Sequence, residues 1–297
     1  MAELRRDPVL IVGDGWEGGY RLLDSGHGRK LESFGQYAFI RPEPQAMWSP
    51  RMADWQAAGE FIPGSDEDGG GRWQLDQSLP EDGWRVSWNE VTFSAQPTPF
   101  RHLQFFPDMA PVWDWMREQL SGTTEAETMN LFGYTGVGSL ALSQHGRVTH
   151  VDASKKSVAQ ARENAALSGM EDRPIRWLVD DGAKFTAREV RRGNRYDGII
   201  LDPPKFGRGP KNETWRLEEN LPALLADCRK LLDRDSKFLF LTVYAVRMSS
   251  LALAGLVDEL FTDMPGTIEH GDLAVLETGE SGRLLPTAIF ARWGNSG

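Results

Sequence analysis

The sequence predicts an α/β fold: a seven-stranded, doubly wound sheet with helices on both faces, behind a small β-rich N-terminal domain. Three observations lead there. From about residue 109, apolar strand-like runs alternate with amphipathic helical stretches, the rhythm of repeated βα units and a mostly parallel sheet. The last two strand-like runs follow one another without a helix, which predicts an antiparallel hairpin at one sheet edge. The first hundred residues read differently, with short apolar runs, frequent turn signals and six of the chain's 11 tryptophans.

Taken in order, YRLLDSGHGRKLESFG predicts a hairpin around Ser25-Gly26-His27-Gly28. GSDEDGGGRW, from Gly64 to Trp73, reads as an acidic flexible loop. WRVSWNEVTFSA alternates apolar and polar residues as one half-buried strand would. QPTPF, from Gln96 to Phe100, reads as a linker, because its prolines stiffen a chain without supporting a ladder. The expected domains are therefore residues 1–100 and 101–297. MAPVWDWMREQLSG follows as a helix with proline in its first turn and glycine near its end. ETMNLF, RVTHVD, IRWLVD, YDGIILD and KFLFLTVY are strands, and DLAVLET and LLPTAIFARW close the sheet. Between them lie the helices VGSLALSQHG, SKKSVAQARENAALSG (capped by Ser154), AKFTAREVRRG, TWRLEENLPALLADCRKLLD and SLALAGLVDELFTD.

Composition narrows the function. The 297 residues are 40% hydrophobic and 26% charged, as in soluble globular proteins. No apolar run reaches the roughly 18–20 residues that span a bilayer, and the N-terminal apolar segment is too short for a secretory signal, so no membrane partner and a cytoplasmic location are expected. One cysteine, Cys228, excludes an intramolecular disulfide and a cysteine-rich zinc site, and no metal site is expected. The net charge of −10 argues against a protein held to nucleic acid by bulk charge. Basic residues cluster only locally, from Arg188 to Arg195 and at Lys205, Arg208 and Lys211.

Ligands of open α/β sheets bind beyond the carboxyl ends of the strands. The first tip, NLFGYTGVGS, carries glycines at Gly133, Gly136 and Gly138, which allow tight turning and close approach of a ligand, in a spacing other than that of dinucleotide binders. The second, THVDAS, sets Asp152 nineteen residues after Gly133, the separation that grips a pair of ribose hydroxyls, with a helix N-cap as its competing role. The third carries Asp180 and Asp181, acceptors for an adenine amino group or ordinary loop acids. The fourth is Asp202-Pro203-Pro204-Lys205-Phe206. A carboxylate and rigid proline carbonyls suit an amino group, Phe206 suits stacking on a flat ring, and Lys205 suits a substrate anion or plain solvation. Together these tips describe an adenosine-containing ligand with an acceptor at its reactive end, which favours S-adenosylmethionine over a nicotinamide cofactor.

NLFGYTG, VDASKKSVAQARENAALSG, VDDGAKF and LDPPKFG, in that order, resemble class I S-adenosylmethionine-dependent methyltransferases. The nearest likeness is to the bacterial large-subunit ribosomal-RNA cytosine methyltransferases and their relatives, over residues 100–245. The resemblance implies a Rossmann-like methyltransferase sheet and a binding set for S-adenosyl-L-methionine. Phe132, Gly133, Tyr134 and Gly136 would wrap its methionine end, and Asn130 and Thr135 would belong to the same binding set. Asp152 would hold the ribose, Ala153 and Ser154 would lie beside the adenine, and Asp181 and Gly182 would meet the adenine edge. Asp202, Pro203, Pro204, Lys205 and Phe206 would form the catalytic tip. HLQFFPD stands where relatives place a segment covering the cofactor, which implicates Gln104 and Phe106. Two features depart from the family pattern. The fifth tip, LTVYAVRMS, has Thr242 and Tyr244 but no cysteine for attack on cytosine C5, and the N-terminal domain is acidic and rich in tryptophan. The expected activity is methyl transfer to RNA, ribosomal RNA first. A protein or small-molecule amine, or a cofactor-binding module without catalysis, are the competing readings, and self-association stays open.

Overall fold

A computed structural model describes residues 1–64, 70–244, 247–279 and 282–295, so part of the expected acidic loop (65–69) and two residues of the fifth tip (245–246) lie outside the described residues. The chain forms two compact units. The larger comprises Met1–Ile11, Val112–Asp272 and Ala288–Gly297; the smaller comprises Val12–Pro111 and Leu273–Thr287. The division thus differs from a cut at residue 100. The chain start belongs with the large unit because β1 (Glu3–Leu4) hydrogen-bonds in parallel to Thr267–Ile268. QPTPF is no free linker, since the Trp73 indole donates to the carbonyl of Thr98 at 2.8 Å.

After β2 (Val9–Gly13), the smaller unit holds β3 (Tyr20–Gly26), β4 (Arg29–Phe34), β5 (Tyr37–Pro42), β6 (Gly59–Pro63) and β7 (Gly71–Leu75) in one sheet in that order. The β3–β4 hairpin turns at His27 and Gly28, both at positive φ, as the sequence predicts. The sheet is antiparallel except for β5 and β6, which run parallel across a long connection. WRVSWNEVTFSA is a hairpin rather than one strand: β8 (Trp84–Trp88) and β9 (Val91–Ala95) meet at Asn89, whose φ of 49° reverses the chain. Tyr20, Phe34, Phe39, Trp84, Phe93 and Phe105 are buried, so two of the six tryptophans, Trp84 and Trp88, are core. Inside, Glu32 accepts from Arg41 Nε at 2.7 Å and from the Tyr20 hydroxyl at 2.7 Å.

The large unit follows the predicted order closely. From Ala110 onward the elements are α1 (Ala110–Gln119), β10 (Ala126–Leu131), α2 (Val137–Leu142), β11 (Gly146–Asp152), α3 (Lys155–Leu167), β12 (Ile175–Val179), α4 (Gly182–Arg192), β13 (Gly198–Leu201), β14 (Phe206–Arg208), β15 (Thr214–Arg216), α5 (Leu217–Lys230), β16 (Phe238–Tyr244), α6 (Ser250–Leu260), β17 (Thr267–Leu276) and β18 (Leu284–Gly294), the last residues of β17 and the first of β18 falling in the smaller unit. The sheet order is β12-β11-β10-β13-β16-β18-β17, with β1 and β2 added against β17, so the seven predicted strands become nine. β10 to β13 and β16 are parallel, and β18 runs antiparallel to β16. The closing hairpin is therefore covered by β1 and β2 rather than forming the edge.

Alternation along the strands buries both faces. Leu239, Leu241 and Val243 of β16 pack with Leu221, Leu225, Cys228, Leu253 and Val257 of α5 and α6. Phe238 and Phe240 turn the other way, onto Trp115 of α1, at 5.7 and 5.4 Å between ring centroids. α3 starts at Ser154, whose side chain accepts from Ser157 N–H, and α4 starts at Asp181, whose side chain accepts from Lys184 N–H. The chain order reverses between β10 and its neighbours β11 and β13, so the switch point lies at the tip of β10. The long helix expected from Thr214 begins only at Leu217, because Thr214–Arg216 pairs back onto Phe206–Arg208.

Candidate active site

The parallel register sets the tips side by side: Leu131 pairs with Val151 and Leu201, and Asp152 with Val179. Beyond β10 the backbone turns sharply, with Phe132, Tyr134 and Gly136 at φ of 58°, 49° and 82°. Left-handed backbone at two non-glycine residues is costly and persists where the surroundings impose it. Gly133 N–H donates to the Val151 carbonyl at 3.1 Å, and a Cβ on Gly133 would lie 2.5 Å from the His150 ring. The turn therefore rests directly on His150. That ring is fully buried, its Nδ1 pairs with the Ser139 hydroxyl at 2.9 Å, and Asn130 Nδ2 donates to the same hydroxyl at 3.0 Å. Burial and the Arg162 charge lower the His150 pKa to about 3, so the ring stays neutral under the turn.

Asp152 closes β11. One carboxylate oxygen accepts the N–H of Tyr134 at 2.9 Å and the other that of Ser154 at 2.8 Å. Each oxygen keeps a second lone pair, the acceptor set a vicinal diol requires. Burial raises the pKa, and the two N–H bonds oppose that rise. Helix capping thus falls to Ser154, not Asp152. Thr135 is buried, its carbonyl accepting from Asn164 Nδ2 at 2.9 Å, while Ala153 is half-buried and Ser154 exposed. At the third tip Asp181 caps α4 at 2.8 Å, and Asp180 pairs with Arg188. Gly182 faces the Phe132 ring, which a Cβ would meet at 3.3 Å, so glycine leaves a flat space against that ring.

At the fourth tip Asp202 is half-buried, Pro203 buried, and Pro204, Lys205 and Phe206 exposed. The Pro204 carbonyl is already engaged: the Trp215 indole Nε1 donates to it at 2.7 Å. Leu217 N–H donates to the Lys205 carbonyl at 3.0 Å. Trp215 is buried and packs on Phe132 with centroids 5.2 Å apart. Glu213 bonds Lys184 of α4 at 2.8 Å, and a Cβ on Gly209 would come within 2.9 Å of an Asp181 oxygen. The β14–β15 hairpin therefore folds over the third and fourth tips. Sequence reasoning places Trp215 in a helix and leaves His150, Ser139 and Glu213 aside.

The structure brings Asn130, the 132–136 turn, Asp152–Ser154, Asp181–Gly182 and the Asp202 tip to one sheet edge. Gln104 and Phe106 belong to the smaller unit: Gln104, at φ 69°, donates to Gln96, and Phe106 packs on His102 with centroids 4.7 Å apart.

A family model described as S-adenosylmethionine-dependent methyltransferase matches residues 67–236. The crystal structure of a SAM-dependent methyltransferase from Agrobacterium tumefaciens aligns with a TM-score of 0.92 at 39% identity, covering 99% of this chain and 95% of that one. The ribosomal RNA large subunit methyltransferase K/L of Pseudoalteromonas atlantica is 33% identical over 119 residues, 39% of this chain and 16% of that protein. The ribosomal RNA large subunit methyltransferase I of Klebsiella pneumoniae is 30% identical over 111 residues, 37% of this chain and 25% of that protein. The matched stretch thus spans a quarter or less of these two curated relatives. No helix among the described residues is long and apolar enough to cross a membrane. With the switch-point site, the family model and the full-length structural match in agreement, the chain belongs to the S-adenosylmethionine-dependent methyltransferases.

Proposed function

We propose that this chain methylates an amine of an RNA base, ribosomal RNA being the first candidate, in the cytoplasm. The observation that carries the reading is the neighbourhood of Asp202. An acceptor tip continues directly into a hairpin in which Phe206 pairs with Arg216 and Arg208 with Thr214. Residues opposite one another share a face, and all four are exposed, while Trp215 is buried on the other face. An aromatic ring beside guanidiniums suits stacking on a base and contact with phosphates. Lys205 and Lys211 add charge in a chain whose net charge is −10, so the basic surface is local. The names of the curated relatives point to the same substrate class.

In this reading Asn130, Phe132, Gly133, Tyr134, Thr135 and Gly136 hold the methionine end of the cofactor. Asp152 takes the ribose hydroxyls, Ala153 and Ser154 flank the adenine, and Asp181 and Gly182 meet its edge. The bound cofactor supplies an electrophilic methyl carbon on a sulfonium, which needs no acid activation. The work of the chain is alignment, which can contribute roughly 7–11 kcal/mol. Asp202 and the Pro203 carbonyl accept the amine N–H bonds and aim the nitrogen lone pair. The carboxylates of Asp152 and Asp202 also favour a cationic sulfur nearby. Carbon methylation at cytosine C5 has no nucleophile here: Cys228 is fully buried in α5, and burial pushes its thiol pKa far up.

Incubation with methyl-labelled S-adenosylmethionine and separate RNA, protein and metabolite fractions tests the reading. Nuclease-sensitive label in RNA is the expected result. Label only in protein or metabolites would sink the RNA assignment, and label in no fraction would favour a binding module without catalysis.

A further inference from the structure

The Asp202 tip carries more acceptors than an amine needs, and the structure distributes them. The Pro204 carbonyl accepts from the Trp215 indole N–H at 2.7 Å, and the Lys205 carbonyl from Leu217 N–H at 3.0 Å. Both bonds come from the far end of the hairpin, β15 and the start of α5. They hold the segment directly after Pro203 from one side. The same indole ring packs on Phe132, which stands at positive φ in the turn after β10. Trp215 is thus a buried aromatic residue that touches both the acceptor tip and the cofactor-side turn. The rest of the hairpin is fastened independently, by Glu213 to Lys184 and by Gly207 paired to Trp215 in the ladder. The hairpin thus has fastenings besides the Trp215 N–H.

We propose that Trp215 is a positioning residue for methyl transfer: its N–H on Pro204 and its ring on Phe132 fix the distance between acceptor tip and cofactor turn. A proline-rich tip has stiff φ angles but can still rotate about ψ, which sets where the Pro203 carbonyl points. Anchoring the next carbonyl removes that swing. The proposal rests on the reading of Asp202 and Pro203 as the acceptor site.

The test compares wild type with Trp215→Phe, which keeps a ring but no donor, and with a Trp215→benzothienylalanine chain, an isostere lacking only the N–H. Asp202→Ala is run beside them with total bacterial RNA as acceptor. Both Trp215 variants should lose about 10-fold or more in kcat, because displacements of about 1 Å cost up to about 100-fold. Affinity for S-adenosylhomocysteine should stay within about 3-fold, KM for RNA should change little, and amide exchange at Lys205–Gly207 should accelerate. A merely structural tryptophan would instead lower the melting temperature of Trp215→Phe and leave the isostere at wild-type kcat with unchanged exchange; that pattern overturns the proposal. Should Trp215→Phe fail to fold, the isostere alone decides. Loss of transfer in Asp202→Ala with a fully active isostere refutes the role of Trp215 but not the site. Normal transfer in Asp202→Ala refutes the site and this proposal with it.

Discussion

Gly133 has no room for a side chain, because the His150 ring occupies the space its Cβ would take, at 2.5 Å. The ring in turn cannot retreat: Ser139, itself held by Asn130, bonds its Nδ1, and Trp177 packs on it with centroids 4.9 Å apart. Gly133→Ala should therefore push the turn outward, costing about 1–3 kcal/mol of stability, the usual range for overpacking. It should also weaken S-adenosylhomocysteine binding about 10-fold or more, measured by calorimetry. Unchanged affinity with unchanged melting would mean that the turn does not depend on this contact. Asp152 makes a related point. Its nineteen-residue spacing from Gly133 was legible in the sequence, yet the helix-cap role falls away only on seeing that Ser154 caps α3 while Asp152 gathers the Tyr134 and Ser154 N–H groups.

The hairpin of β14 and β15 is the element that the sequence concealed. TWRLEENLPALLADCRKLLD has helical periodicity throughout, and nothing local says that its first three residues pair with Phe206–Arg208. Strand pairing is a tertiary effect that overrides propensity. For the same reason the parallel pairing of β5 and β6 was hidden, whereas the β3–β4 hairpin announced itself through a turn that ends in Gly28. Asn89 lacks a following glycine, so the β8–β9 hairpin read as one strand. The outward face of β14–β15 carries a prediction of its own. Arg208→Glu and Arg216→Glu should each raise KM for RNA about 10-fold at low salt and shrink the dependence of binding on salt, since each removes a phosphate partner. Identical KM values and salt slopes for wild type and both variants, in a transfer assay with RNA, would remove this face from substrate binding.

Across the whole molecule the α/β rhythm was readable because the central parallel strands β13 and β16 are buried on both faces and so are nearly continuous in apolar residues, GIIL and FLFLTVY. The boundaries of the two units were not, because they depend on which distant segments meet. The chain's stability should also fall on acidification. His150 is neutral when folded, its pKa lowered from 6.5 to about 3, so the unfolded chain binds the extra proton and stability is lost as pH falls below about 6.5. His102 is also lowered by burial and adds in the same sense. Glu32 continues the loss below 4.5: burial would raise its pKa, but the Arg41 and Lys30 charges hold it at about 2. Asp152, raised by burial, opposes the trend. His150 alone should cost about 2 kcal/mol between pH 7.5 and 5, from 1.36 kcal/mol per pH unit below the unfolded pKa. Thermal melts from pH 7.5 to 5 should show a falling midpoint, and a flat profile would contradict a neutral His150.

Asp202→Ala, with methyl transfer and cofactor affinity measured on the same preparation, decides whether Asp202 acts on the acceptor. Removing an oriented polar contact at a reacting centre typically costs about 100- to 1,000-fold in kcat. The variant should show a loss of that size, with S-adenosylhomocysteine binding within about 3-fold of wild type. Turnover at the wild-type rate, or loss of cofactor binding in place of loss of transfer, would contradict that role.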